Sequence, residues 1–221
     1  MFQRLRERNL TLNKKKCQFN KSNLIFYGNK FSAEGISPDP EKVTAIHNAE
    51  SPKSASEVRS LLGMVTYFSR FIPDLATITD PLRQLTKDGT PWEWTEIHDN
   101  ALKSIKERLT SDTVKDYFDP NKEIEVVVDA SPVGLGAMLT QCGKHGVTPP
   151  RVVSYASRSL TDVEQRYSQI EREALAVMWA TERFHLYVYG KQFTVITDHK
   201  PLERIYNNPG SKPPRELSDG H

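Results

Sequence analysis

This 221-residue chain has almost no cysteine, no long apolar run and no internal repeat. Its two cysteines, Cys17 and Cys142, are too few for a disulfide framework, and neither has a Cys or His partner at zinc spacing. No stretch approaches the roughly 18 consecutive apolar residues of a membrane span. The start, Met1-Phe2-Gln3-Arg4-Leu5-Arg6, is not followed by the apolar core of a secretory leader. The expected setting is therefore intracellular, cytoplasmic or nuclear. Apolar residues at 37% and charged residues at 26% are a globular balance, and the length suits one or two domains.

The small net charge of +2 hides an asymmetry. Residues 1–30 hold eight Lys/Arg against the single acid Glu7, giving +7, so the remainder carries −5. A basic end of this kind suits a polyanion such as nucleic acid, or is a solvated face.

Regular elements can be placed along the chain. Residues 2–10 read as a helix, and Lys14–Lys16 lead into a short strand region. The β-rich run Leu24–Ser32, bent at Gly28 and followed by Glu34-Gly35-Ile36, reads as a hairpin. Asp39-Pro40-Glu41 starts a helix over about 40–48. Ser54 and Glu57 form a capping box ahead of Val58, Leu61, Leu62, Val65, Phe68 and Phe71, an amphipathic stripe predicted to end at Pro73. A short helical turn is expected at 81–85, and a helix over 96–110 capped by Thr95.

The pattern then changes near residues 112–120. Ile124–Val128, Gly134–Gln141 and Arg151–Ser157 read as three antiparallel strands, with turns at Asp129–Pro132 and Lys144–Gly146. A capping box at Thr161 and Glu164 is expected to open a long helix through about His185, whose charge would suit that helix end. Gln192–Thr197 reads as a fourth strand and Pro201–Tyr206 as a short helix. The Pro/Gly-rich segment that follows is expected to be disordered.

Three acids stand out by position. Asp129 follows the first of these strands, Asp198 follows the fourth, and Glu173 lies within the long helix among Ile170, Ala174, Leu175 and Val177. If the first and fourth strands are neighbours, both aspartates emerge at one end of the sheet, and the helix crossing it can bring Glu173 to them. Three converging carboxylates repel one another unless a cation intervenes, and hard oxygen ligands suit Mg²⁺ or Mn²⁺. A pair of such ions is a common device for cutting a phosphodiester. Taken singly, a strand-end Asp is more often a turn former, and a helical Glu is more often solvated.

A resemblance adds to this reading. Val126-Val127-Val128-Asp129-Ala130-Ser131 through Gly134-Leu135-Gly136-Ala137 resembles the first hairpin of retroelement RNase H domains. Val153-Ser154-Tyr155-Ala156-Ser157-Arg158, Glu171-Arg172-Glu173-Ala174-Leu175-Ala176 and Thr197-Asp198-His199-Lys200-Pro201-Leu202 are similar to later motifs in the same order. The 44- and 25-residue separations between the three acids are also family-like. Upstream, Phe26-Tyr27-Gly28 with Glu34–Pro40 resembles a hairpin that grips the primer end, and residues 57–72 resemble the thumb. The whole is similar to Pol polyproteins of Ty3/Gypsy-class LTR retrotransposons.

The resemblance implies an α/β fold. An α+β thumb- and connection-like part would precede an RNase H-like mixed sheet with helices that lacks its last strand. It divides the chain into a palm end with a primer-grip-like hairpin (1–38), a helical thumb/connection-like region (39–112), a truncated RNase H-like domain (113–206) and a tail (207–221). It implies Asp129, Glu173 and Asp198 as catalytic metal ligands for two Mg²⁺ or Mn²⁺ ions. The activity would be hydrolysis of RNA in RNA–DNA hybrids. By the resemblance Phe26, Tyr27 and Gly28 would touch a primer strand; by charge alone Arg4, Arg6, Arg8, Lys14, Lys15 and Lys16 are expected to track a nucleic-acid backbone, and His199 to approach a phosphate or to serve the turn.

Two departures from the family limit this expectation. No Asp-Asp pair occurs, so polymerase activity is not expected. The family's fourth acidic ligand would fall beyond His221, so the isolated chain is expected to be weak or inactive, with an exposed sheet edge. A non-catalytic nucleic-acid-binding remnant and a transposon remnant with no role are the alternatives. Cys17 and Cys142 read as small buried or bystander residues.

Overall fold

The computed structural model describes residues 2–111, 114–143 and 149–202. The expected turn at 144–146, the end of the short helix at 203–206 and the tail lie outside these residues. Among the described residues no helix is long and apolar enough to cross a membrane.

The chain opens with a short helix, α1 (Phe2–Glu7), which buries no residue. Lys14–Lys16 form a 3-10 turn rather than leading into a strand, because Asn13 caps it by accepting from the Lys15 amide at 3.0 Å. The expected hairpin is a three-stranded antiparallel meander of β1 (Leu24–Phe26), β2 (Asn29–Ser32) and β3 (Gly35–Pro38). Its first turn has positive φ at both Tyr27 and Gly28, as a two-residue hairpin turn demands.

Four helices follow: α2 (Pro40–His47), α3 (Ala55–Tyr67), α4 (Leu75–Gln84) and α5 (Glu96–Thr110). Asp39 and Ser54 cap α2 and α3 as the sequence predicts. Helix α3 stops at Tyr67, ahead of a 3-10 turn at Ser69–Phe71, rather than running to Pro73. Helix α4 is ten residues long with Pro81 inside it, where only a turn was expected. Its burial stripe of Leu75, Ala76, Thr79 and Leu82 supplies the packing that offsets the proline. The four helices share a core that includes Val58, Val65, Phe68, Ile72, Leu82 and Ile105.

The second core belongs to a four-stranded sheet: β4 (Glu123–Ala130), β5 (Gly134–Cys142), β6 (Arg151–Ser159) and β7 (Thr194–Ile196), in the order β6-β5-β4-β7. The first three strands form the expected antiparallel meander, and β7 runs parallel to β4. β4 is longer than predicted: Asp129 and Ala130 pair with Gly136 and Leu135, and the turn begins at Ser131. Ser131 holds that turn, its hydroxyl accepting from the Gly134 amide at 2.9 Å.

Helix α6 (Gln169–Arg183) covers one face of the sheet. Leu175, Ala176 and Ala180 share a core with Val126, Val128 and Leu139. The Thr161–Glu164 box opens only a 3-10 turn, Glu164–Arg166. Tyr167 then goes extended, and a second box of Ser168 and Glu171 starts α6. His185 does not close this helix: α6 ends at Arg183, and His185 opens a short α7 (His185–Val188).

The two cores touch through α4. The Ala76 amide donates to Ser157 Oγ at 3.1 Å, and the Thr77 and Ser131 hydroxyls lie 3.0 Å apart. Two glycines of β5 permit this approach: a Cβ on Gly134 would sit 3.2 Å from Ala76 Cβ, and one on Gly136 would sit 2.7 Å from Asp74 Oδ1.

Candidate metal centre

The parallel register brings the two aspartates together. Val127 pairs with Ile196, so Asp129, near the end of β4, and Asp198, just after β7, each lie two residues beyond the last pair. Both are exposed. Glu173 comes from the first turns of α6 and is only 2% exposed. One carboxylate oxygen from each of the three lies within 4.8 Å of the others.

The charge state of Glu173 follows from this setting. Burial raises its pKa most; a hydrogen bond from Gln169 lowers it; Asp129 and then Asp198 raise it; and the His199 charge lowers it slightly. Glu173 Oε1 accepts from Gln169 Nε2 at 2.7 Å, while Oε2 is buried without a partner. A buried carboxylate oxygen with no donor is costly unless something positive is meant to meet it. The donor set is all carboxylate, with two members open to solvent, and fits a hard divalent cation.

A fourth acid was not foreseen. Asp74 precedes α4 in the left-handed conformation, φ 51 and ψ 30. It lines a groove of about 260 Å³ with Asp129, Gly136 and Met138, on the face of the sheet opposite α6. Burial, then the neighbouring Asp129, raise its pKa, and Arg108 lowers it. The Pro73-Asp74 pair offered a turn signal, but nothing local says that the turn rests beside Asp129.

The other residues singled out from the sequence are more scattered. Arg4, Arg6, Arg8 and Lys14–Lys16 are all exposed, and neither α1 nor the 3-10 turn buries a residue. Phe26 and Tyr27 are exposed and meet edge to face at 4.5 Å between centroids. Gly28 is half-buried because Tyr67 lies over it, and the Tyr67 hydroxyl donates to the Tyr27 carbonyl. His199 is half-buried beside the acids, its amide bonded to Thr197 Oγ1 at 3.2 Å. Cys142 is buried, and its thiol pKa is raised by that burial and by Glu125 and Glu123.

Comparison with known proteins agrees with this architecture. Residues 119–217 match the family described as the RNase H-like domain found in reverse transcriptase. The fold is shared with a foamy viral protease-reverse transcriptase solved in complex with an RNA/DNA hybrid. The TM-score is 0.71 at 23% identity, over 88% of this chain and 26% of that one. The same protein with double-stranded DNA gives a TM-score of 0.69 at 22% identity, over 90% of this chain and 41% of that one. A mixed sheet of this order, crossed by a helix and bearing acids at the ends of β4 and β7, thus defines an RNase H-like domain of the reverse-transcriptase type.

Nearly the whole chain, 96%, is 38% identical to the retrovirus-related Pol polyprotein from transposon 412 of Drosophila melanogaster, covering 17% of that relative. A Tf2-3 transposon polyprotein of Schizosaccharomyces pombe is 33% identical over 91% of the chain and 15% of its own length. Over nearly its whole length the chain is similar to retrotransposon Pol polyproteins of the Ty3/Gypsy type, and it spans less than a fifth of the length of these two relatives.

Proposed function

We propose that Asp129, Glu173 and Asp198 form the catalytic metal site of a ribonuclease that hydrolyses the RNA strand of an RNA–DNA hybrid. The observation that carries this reading is the meeting of three carboxylates around one point, with Glu173 Oε2 buried and unpartnered. Mg²⁺ or Mn²⁺ would be held by these three residues. When bound, such ions make water acidic enough to attack at neutral pH and offset charge on the phosphate and the leaving oxygen. The chain's own part is geometric. Asp129 and Asp198 bind from the solvent side and leave room for a phosphate, while the buried Glu173 anchors the inner side.

His199, next to Asp198, would contact the phosphate backbone. The exposed basic residues Arg4, Arg6, Arg8 and Lys14–Lys16 would add sequence-independent, salt-sensitive contacts. The foamy viral enzyme was solved with an RNA/DNA hybrid, which is the kind of substrate proposed here. Residues 1–38, 39–112 and 113–206 are read as palm end, thumb/connection-like and RNase H-like parts.

The test is cleavage of a labelled hybrid by the full chain with Mg²⁺ or Mn²⁺. Weak metal-dependent release of RNA fragments that disappears in Asp129→Asn is the expected result, and brisk cleavage would show that the fourth acidic ligand is not needed. Cleavage that survives Asp129→Asn, or that needs no metal, would refute the assignment. Salt-dependent hybrid binding with no cleavage would favour a binding role instead, carried by the exposed basic turns.

A further inference from the structure

Of the three acids, Glu173 alone is buried, and one of its two oxygens is already engaged. The engaging group is the Gln169 side chain. Gln169 Nε2 donates to Glu173 Oε1 at 2.7 Å and to the Ala130 carbonyl at 3.3 Å. Gln169 Oε1 accepts from Arg172 Nη2 at 2.8 Å. Two acceptors on the nitrogen side and one donor on the oxygen side fix which way the amide points. Ala130 directly follows Asp129 on β4, so one side chain ties the helix acid to the strand that carries its aspartate partner.

We propose that Gln169 is a positioning residue of the metal site. By holding Glu173 Oε1 it fixes rotation of the carboxylate about its last bond and leaves Oε2 for a divalent cation. By holding the Ala130 carbonyl at the same time, it sets the spacing between Glu173 and Asp129. Arg172 steadies Gln169 from behind. Carboxylates that bind metals are commonly oriented by such donors, whose loss weakens metal affinity about 10- to 100-fold. This inference rests on the metal-site reading above.

A purely structural role is a poor account of Gln169. The residue is exposed, and the start of α6 is already held by Ser168 and Glu171, with the Ser168 amide donating to Glu171 Oε2 at 2.8 Å. Gln169 and Glu173 are four apart on one helical face, the spacing at which side chains meet.

The experiment is Mn²⁺ titration calorimetry on the full chain, with metal-free thermal unfolding of each variant alongside. Gln169→Leu should bind Mn²⁺ about 10-fold or more weakly than wild type, with a distinctly smaller loss of metal-free stability from the unpartnered Glu173 oxygen. Arg172→Leu should show a smaller loss, because the Gln169 donors remain. In the ¹⁵N-labelled wild type, the Gln169 side-chain amide resonances should shift on adding Mg²⁺. Gln169→Leu binding Mn²⁺ as tightly as wild type would overturn the inference and leave the metal site standing. A loss of affinity matched by an equal loss of metal-free stability would overturn it too, as a structural effect. Wild type that binds no Mn²⁺ would overturn both the inference and the metal-site reading.

Discussion

Glu173 is held in a state that costs the metal-free protein stability. Burial raises its pKa above the ordinary value of 4.5, so the folded chain binds a proton more tightly than the unfolded chain. Stability therefore falls as pH rises from about 4.5 through the raised folded value, and the penalty is fully present above it. Glu173→Gln removes that penalty. The variant should unfold about 2–4 °C higher than wild type at pH 7 in chelator, a gain of roughly 1 kcal/mol. Added Mn²⁺ should then stabilise wild type and leave Glu173→Gln unmoved; a lower midpoint for the variant in chelator would contradict this account. Asp74 obeys the same sign from its ordinary value of 3.8. Asp74→Asn keeps a residue that tolerates the left-handed region while removing a charge beside Asp129. It should raise the neutral-pH midpoint and narrow the stability difference between pH 4 and pH 7, as read by scanning calorimetry.

An ion pair helps to hold the connection between β6 and α6. Arg158 meets both oxygens of Glu164, at 2.7 and 2.8 Å, and its guanidinium lies 5.9 Å from the Trp179 ring centre. The Arg158 hydrogen bond is the largest cause holding the Glu164 pKa down at about 2. Because that pKa is depressed, the stabilisation is complete above about 4.5 and is lost as pH falls through about 2. Arg158→Ala should cost about 1–3 kcal/mol in urea unfolding at pH 7, and the cost should shrink steadily below pH 4.5. A cost that does not change with pH would mean that the arginine acts through packing alone.

The elements also show where sequence reading stops. Helices α2, α3 and α5 were legible because cap, stripe and length agreed, and the three-strand meander because its apolar runs are separated by turn residues. Helix α4 was not, since Pro81 argued locally against a helix that tertiary burial of Leu75 and Leu82 sustains. The start of α6 was misplaced because two capping boxes lie seven residues apart, and only packing selects the second. The convergence of the acids was legible from strand order. The Gln169 network and the approach of Asp74 were not, because each depends on which side chain faces which across elements distant in sequence.

At the scale of the molecule, the two cores pack through α4 and the 3-10 turn at Ser69–Phe71, and a backbone bridge adds a separate link. Ile36 and Lys115 exchange both main-chain hydrogen bonds at 2.8 Å, linking the N-terminal meander to the segment before β4. Gly35 makes room for this bridge: it has φ of 142, and a Cβ there would sit 2.3 Å from the Lys115 carbonyl oxygen. Gly35→Ala should cost about 2–4 kcal/mol, seen as a lower urea midpoint. A variant as stable as wild type would mean that the bridge contributes little.

The shortest strand of the four-stranded sheet sets a limit of another kind. β7 joins the sheet through three residue pairs, all to β4, and Asp198 lies just past the last of them. Opening so brief a ladder requires far less than unfolding either core. A chain with both cores intact would then have lost the proximity of Asp198 to Asp129. The lifetime of the three-acid cluster is thus the closed lifetime of residues 194–198, and any cation held by all three acids would act as a latch on that strand. Hydrogen exchange should find those amides among the quickest in the sheet without metal, and distinctly slower with Mn²⁺ present.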